Sequence, residues 1–285
     1  MNHTPGKQKA FSLHPILLVL LAFAVVIAGA LWLINSQNIA LSWCFVLLML
    51  AAFTFVCGHV VTGRWLGALI DERNVMSLSR FQIILWTLLV LSAYLVAALN
   101  NISLGIPDPL KIEMQKELWW LMGISTATLV GSPLILSDKA NKVSDTAEVS
   151  NTFELLKKQG DEESTLGTMG HIVVNTDIAK ARWTDLFTGE EVGNAAHLDV
   201  ARLQMFFFTL ITALAYAALL WNKFYGDAAK AISDFPALSS SMIALIGISH
   251  AGYLTAKAVP HSQTGIGQPA QQIAPEVADE HPPVG

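Results

Sequence analysis

Six stretches of the chain, roughly 15–34, 41–62, 81–99, 118–136, 203–221 and 238–256, are long apolar runs almost free of charge. A bilayer core about 30 Å thick is crossed by roughly 20 helical residues. Inside it a helix satisfies its own backbone hydrogen bonds, which an open strand or loop does not. The pattern therefore predicts an all-α membrane protein with six transmembrane helices and argues against a soluble globular domain. Composition agrees: 53% of the 285 residues are hydrophobic and 14% are charged, against about 25% charged in soluble domains.

The net charge of −5 matters less than where the charges lie. Lys7 and Lys9 precede the first run; Arg64, Arg73 and Arg80 separate the second and third. Lys139, Lys142, Lys157, Lys158, Lys180, Arg182 and Arg202 lie between the fourth and fifth, and Lys257 closes the sixth. The opposite side holds only Lys111, Lys116, Lys223 and Lys230. Positive residues favour the cytoplasmic side. The expectation is a multi-pass protein of the bacterial inner membrane with both termini cytoplasmic. The basic start and Ala28-Gly29-Ala30 resemble a signal peptide, but the apolar run continues through Ile34, so an uncleaved anchor is expected. Trp32, Trp43, Trp119, Trp120 and Trp221 are expected at the outer interface and Trp65 at the inner one. Cys44 and Cys57 share one helix and form neither a disulfide nor a metal pattern.

An internal repeat organises the chain. Arg80, Gln82, Thr87, Leu88, Ala93, Tyr94 and Asn100 recur as Arg202, Gln204, Thr209, Leu210, Ala215, Tyr216 and Asn222, offset by 122. Leu121, Gly123, Ile124, Ser125 and Ala127 recur as Leu245, Gly247, Ile248, Ser249 and Ala251, offset by 124. Upstream, Arg64-Trp65 precedes Asp71-Glu72 as Arg182-Trp183 precedes Glu190-Glu191. Each unit holds two spans, so the units insert in the same direction, as parallel repeats about an axis along the membrane normal. The expected organisation is a cytoplasmic lead (1–14), an N-terminal transmembrane hairpin (15–62), a first repeat unit (63–136), a cytoplasmic segment (137–201), a second unit (202–257) and a disordered acidic tail (258–285). Within the cytoplasmic segment the reading places an amphipathic helix over 147–158 and a strand over 171–175. It also places a helix capped by Thr176 or Asp177 and running through Phe187. So polar a segment is expected to pack on the helices or on a partner.

The candidate residues fall into two groups. A cytoplasmic clasp between units is expected from Arg64, Asp71, Glu72, Arg80, Gln82, Arg182, Glu190, Glu191, Asp199, Arg202 and Gln204. Asp199 stands one turn from Arg202, and Asp71 or Glu72 is placed to serve Arg80. Glu190-Glu191, without a second convergent group, reads as a solvated acidic patch. The second group, Gly123, Ser125, Thr126, Gly247, Ser249 and His250, lies near mid-membrane. Small residues there serve close helix packing or, alternatively, line a pore. His250 takes the place of Thr126 and is the one ionisable residue deep in a span, which makes it a functional candidate. A neutral imidazole hydrogen-bonded across helices is the expected state. No cofactor, metal or nucleic-acid partner is expected, and no motif for an enzyme is present.

The stretch Ser77-Leu78-Ser79-Arg80-Phe81-Gln82, with Trp86-Thr87, resembles part of an uncharacterised bacterial family of duplicated inner-membrane proteins. So does Phe235-Pro236-Ala237-Leu238 with Gly247-Ile248-Ser249-His250-Ala251-Gly252-Tyr253-Leu254 and Lys257. The resemblance covers roughly 60–260 and implies the fold, not an activity. Three function classes follow. The first is a structural or anchoring component that holds a cytoplasmic partner through 138–201 and the tail, as a homo-oligomer or in a membrane complex. The second is a passive oligomeric channel lined by the Gly-Ile-Ser helices. The third is a membrane sensor or enzyme.

Overall fold

Each apolar run closes into a helix. In the computed structural model, which describes residues 15–226, 230–263 and 265, these are α1 (Pro15–Asn35), α2 (Ile39–Thr62), α3 (Leu78–Ser103) and α4 (Lys116–Ala140), then α6 (Val200–Phe224) and α7 (Ser240–Ala258). Between α4 and α6 lie α5 (Thr146–Lys158) and a hairpin of β1 (Leu166–Met169) and β2 (Ile172–Asn175). The 1–14 lead and, of the 258–285 tail, residues 264 and 266–285 lie outside the described residues. The chain is mostly helical, and five helices, α1 to α4 and α6, are long and apolar enough to cross a membrane. The 19-residue α7 is not among them; Ser249, His250, Thr255 and Lys257 lower its hydropathy.

Local chemistry sets the helix boundaries. Asp145 accepts the Ala147 and Glu148 N–H groups (3.0 Å each) to start α5, Asp199 accepts that of Arg202 (3.1 Å) to start α6, and the Ser239 hydroxyl accepts that of Met242 (3.2 Å) to start α7. Each cap satisfies a donor that the helix itself leaves open. Gly63, at φ 73°, ends α2 in the left-handed conformation that costs glycine least.

Helix α3 is the most buried span and packs against α1, α2, α4 and α6, while α7 packs on α4 and α6. The core between them holds Trp86, Tyr216, Leu118, Leu121, Leu220 and Ile246. Trp43 belongs to this core rather than to the interface. It is 3% exposed and its indole N–H donates to the Ser92 hydroxyl (3.0 Å), because α2 turns that face toward α3. Trp32, Trp65, Trp119 and Trp120 are exposed. At one end of the bundle the connections leading into α4 and α7 are tied together. Glu113 pairs with Asp234, and Asn101 accepts the Ile232 N–H (2.8 Å) and donates to the Ile232 carbonyl (2.9 Å).

The 137–201 segment lies against the opposite helix ends as a cap. A second cluster, Ile70, Met76, Leu78, Ala181, Leu186, Met205 and Tyr253, joins the 63–77 linker, the cap and the starts of α3 and α6. The expected helix from Thr176 or Asp177 through Phe187 does not form. Asp177 caps one short turn, Ile178–Lys180, and a second turn covers Trp183–Leu186. Between them Ala181 leaves helical geometry (φ −58°, ψ 129°) and is buried in this cluster, so packing overrides helix propensity.

The β1–β2 turn is where backbone freedom is needed. Gly170 has φ 58°, and a Cβ there would fall 2.6 Å from the Ala140 carbonyl carbon at the end of α4. Gly105 has a similar φ of 67° but opens on empty space. Gly170→Ala is therefore expected to lower the thermal unfolding midpoint in detergent clearly more than Gly105→Ala, with about 1–3 kcal/mol for strain plus clash. Equal losses would refute the docking of this turn on α4.

Candidate functional site: a buried ion clasp at the cap

The cap meets the helices through two adjacent carboxylates. Glu190 receives the Arg73 guanidinium (2.9 Å), the Lys257 ammonium (2.6 Å) and the guanidinium of Arg202. Its side chain is 8% exposed. Glu191 pairs with Lys139 through one oxygen; the other accepts the backbone N–H groups of His261 (3.0 Å) and Ser262 (3.2 Å). Lys139 also donates to the Lys257 carbonyl and to that of Val259 (2.9 Å), capping the end of α7 where carbonyls lack helical partners. Lys257 donates to Ser132 and to the Tyr253 hydroxyl (2.8 Å). The Tyr253 ring lies 5.8 Å from Arg202 and 5.1 Å from Lys257, within cation–π range. Arg73 is held in turn by Asp71 (2.6 Å).

The sequence order places each group. Arg73 sits in the linker that folds back before α3, and Arg202 is in the first turn of α6. Lys139 and Lys257 occupy the last turns of α4 and α7. Glu190 and Glu191 follow the short Trp183–Leu186 turn, where isolated bridges of Thr188 to Leu198 and of Ile172 to Glu191 fix the loop. Burial alone raises a carboxyl pKa, but the three facing cations outweigh it and hold Glu190 well below the usual carboxylate range. Burial lowers the Arg73 pKa, yet Glu190 and Asp71 more than reverse that and keep it charged.

A cavity of about 400 Å³ adjoins the clasp, lined by Arg73, Arg182, Asp185, Glu190, His197 and Arg202. Burial pushes the Asp185 pKa up, although it accepts N–H groups from Arg182 (2.8 Å) and Met76 (3.2 Å).

The structure gathers only part of the residues named from sequence. Glu190 and Glu191 are not a solvated patch; they are buried because four cations converge on them, which a local reading of two acidic residues misses. Arg202 joins Glu190 and lies 3.7 Å from Asp199. Arg80 pairs with Glu72 (2.6 Å) on the exposed side, and Arg182 with Asp161 (2.7 Å). Arg64 and Gln204 are exposed. Arg73, Lys139, Lys257, Ser132 and Tyr253 were missed. Their one sequence signal is a Lys in the last turn of both α4 and α7, near two adjacent acids that need counter-charge.

The second group of candidates resolves differently. His250 lies between α3, α4 and α6, with Nδ1 2.7 Å from the Thr128 hydroxyl and Nε2 3.4 Å from the Gln82 amide nitrogen. That amide also donates to Thr209 (2.6 Å). Because the Thr128 hydroxyl donates to the Ile124 carbonyl (3.0 Å), the consistent tautomer carries its proton on Nδ1 and accepts at Nε2. Ser125 and Ser249 are buried and their hydroxyls have no partner among the described residues. Gly247 approaches Ile124, its notional Cβ 3.6 Å from Ile124 Cδ1, whereas Gly123 and Thr126 face outward. Thr128 is the threonine of α4 that meets His250. The described residues contain no cluster of His, Cys, Asp or Glu arranged to hold a metal ion.

No family model, no curated protein and no solved structure matches this chain.

Two outcomes follow from the clasp. Glu190→Gln removes the carboxylate that Arg73, Arg202 and Lys257 share, leaving Asp71 and Asp199 as counter-charge for the two arginines alone, and is expected to destabilise the fold by about 3–5 kcal/mol, measured as chemical unfolding in detergent. The wild-type contribution is fully present above the unfolded carboxylate pKa of about 4.3. It is lost as pH falls through the depressed folded value. Acid destabilisation should therefore begin below about pH 5 and be reduced in Glu190→Gln. An unchanged acid limb in the variant would mean that other carboxylates set it.

Proposed function

We propose that the chain is an integral membrane anchoring component that holds its cytoplasmic cap, residues 137–201, as a fixed platform for a protein partner. In this reading α7 is the sixth span. The α1–α2 hairpin precedes two tandem units, α3–α4 and α6–α7, and both termini face the cytoplasm of a bacterial cell. The packing of α3 on α6 and of α4 on α7, with the tied outer loops, supports an arrangement of two related units.

The observation that carries the reading is the clasp around Glu190 and Glu191. Burying charge is costly, and an apolar contact of equal volume is often as stable. A buried network is suited instead to fixing one orientation, since any slip of the cap would strand several charges at once. The clasp joins the linker before α3, the ends of α4 and α7, the start of α6 and the cap loop, and these are the points through which a bound partner would be held to the bilayer. A carboxylate balanced by three cations is also a poor base, which weighs against acid–base work by this pair.

The channel reading retains one supporting observation, the unpartnered buried hydroxyls of Ser125 and Ser249. Against it, the His250 ring is committed on both nitrogens. The two readings separate by experiment. The full chain in liposomes is expected to carry no ion flux across pH and voltage, and His250→Ala should leave that unchanged. Cross-linking in native membranes should capture a protein from the wild type and lose it when Glu190→Gln loosens the cap. Flux altered by His250→Ala, with no captured partner, would favour the pore.

A further inference from the structure

A groove of about 580 Å³ opens between α3 and α4 near their cytoplasmic ends. Ile83, Ile84, Leu129, Pro133 and Leu136 form its apolar wall. The 68–77 linker and the β1–β2 hairpin roof it, through residues such as Ser77 and Met169. At its mouth Arg80 and Glu72 form an ion pair of 2.6 Å, with side chains 33% and 80% exposed. Arg73 and Asp71 border the same space but are already engaged in the clasp. The accessible charges are therefore one cation and one anion, side by side.

Two further features point to an occupant. Ser79 lines the groove, is 2% exposed, and its hydroxyl has no partner among the described residues. Pro133 lies within α4 and has no N–H to donate to the carbonyl of Leu129, and both residues line the groove. A polar headgroup or ester atom beside Arg80 would meet the Ser79 hydroxyl, while Leu129 belongs to the apolar wall. From Arg80 to Ile84 the helix rises roughly 6 Å, so the charged mouth sits at headgroup depth when the wall lies at acyl-chain depth.

We infer that this groove binds one aminophospholipid, its phosphate on Arg80, its primary ammonium on Glu72 and an acyl chain along Ile83, Ile84 and Leu129. The paired charges select the class. A purely anionic headgroup satisfies Arg80 but is repelled by Glu72. A choline headgroup carries the cation but no N–H to donate. The inference rests on the bundle lying in a bilayer and not on the anchoring role.

The test uses the full chain purified in mild detergent, with retained lipid measured by native mass spectrometry after addition of phosphatidylethanolamine, phosphatidylcholine or phosphatidylglycerol. Phosphatidylethanolamine should be retained best. Glu72→Gln, at an exposed position, should erase its preference over phosphatidylglycerol, a change of roughly tenfold for one charge-assisted hydrogen bond. Arg80→Gln should weaken all three, and Ile84→Trp should exclude them by filling the groove. Unchanged selectivity in Glu72→Gln, or equal retention of the three lipids by the wild type, would overturn the proposal, as would a polypeptide found cross-linked in the groove. Resistance to alkaline extraction from membranes reports separately whether the bundle is embedded, so failure of that premise is distinguishable from failure of the site.

Discussion

Glu190 is the point on which the capped half of the molecule turns. One carboxylate gathers cations from the linker before α3, from the start of α6 and from the end of α7, while its neighbour Glu191 gathers the end of α4 and the chain beyond α7. Such a cluster is worth little as net attraction, since each ion has lost its water. Its consequence is geometric. With the charges desolvated together, the cap has one arrangement that leaves none unpaired, and the apolar cluster of Met76, Leu186, Met205 and Tyr253 packs beneath that arrangement.

The membrane half is held in a different way. Apolar side chains gain nothing from contact with one another rather than with lipid, so close packing and a few interhelical hydrogen bonds decide how the helices meet. The Trp43–Ser92 bond and the Thr128–His250–Gln82–Thr209 chain are such bonds, and they link α2 to α3 and then α3, α4, α6 and α7. His250 thereby becomes a connector in the bundle. Where α3 and α4 separate toward the cap, the groove behind Arg80 is what packing leaves over, and an aminophospholipid would fill the space that the helices do not.

The sequence by itself determined the helices. Six apolar runs match six helices, with ends shifted by a few residues; five of them are long and apolar enough to cross a membrane, where backbone hydrogen bonding leaves a chain almost no alternative to a helix. The helix over 147–158 and the strand near 171–175 were also legible, from amphipathic pattern and β-branched residues. The pairings Asp199–Arg202 and Glu72–Arg80 were readable because they are close in sequence. What only the tertiary structure decided was which groups are buried together. Glu190 and Lys257 are 67 residues apart, and Lys139 and Glu191 are 52 apart, so no local pattern marks them as partners. The repeat reading set His250 in the place of Thr126 and Gln204 in that of Gln82, but Thr128 is what meets His250, and Gln204 is exposed where Gln82 is buried, because residues at matching sequence positions face different neighbours. Burial, pairing and depth are properties of the assembled helices, and for charged residues those properties decide whether a carboxylate is a solvated patch or the pin that fixes the cap.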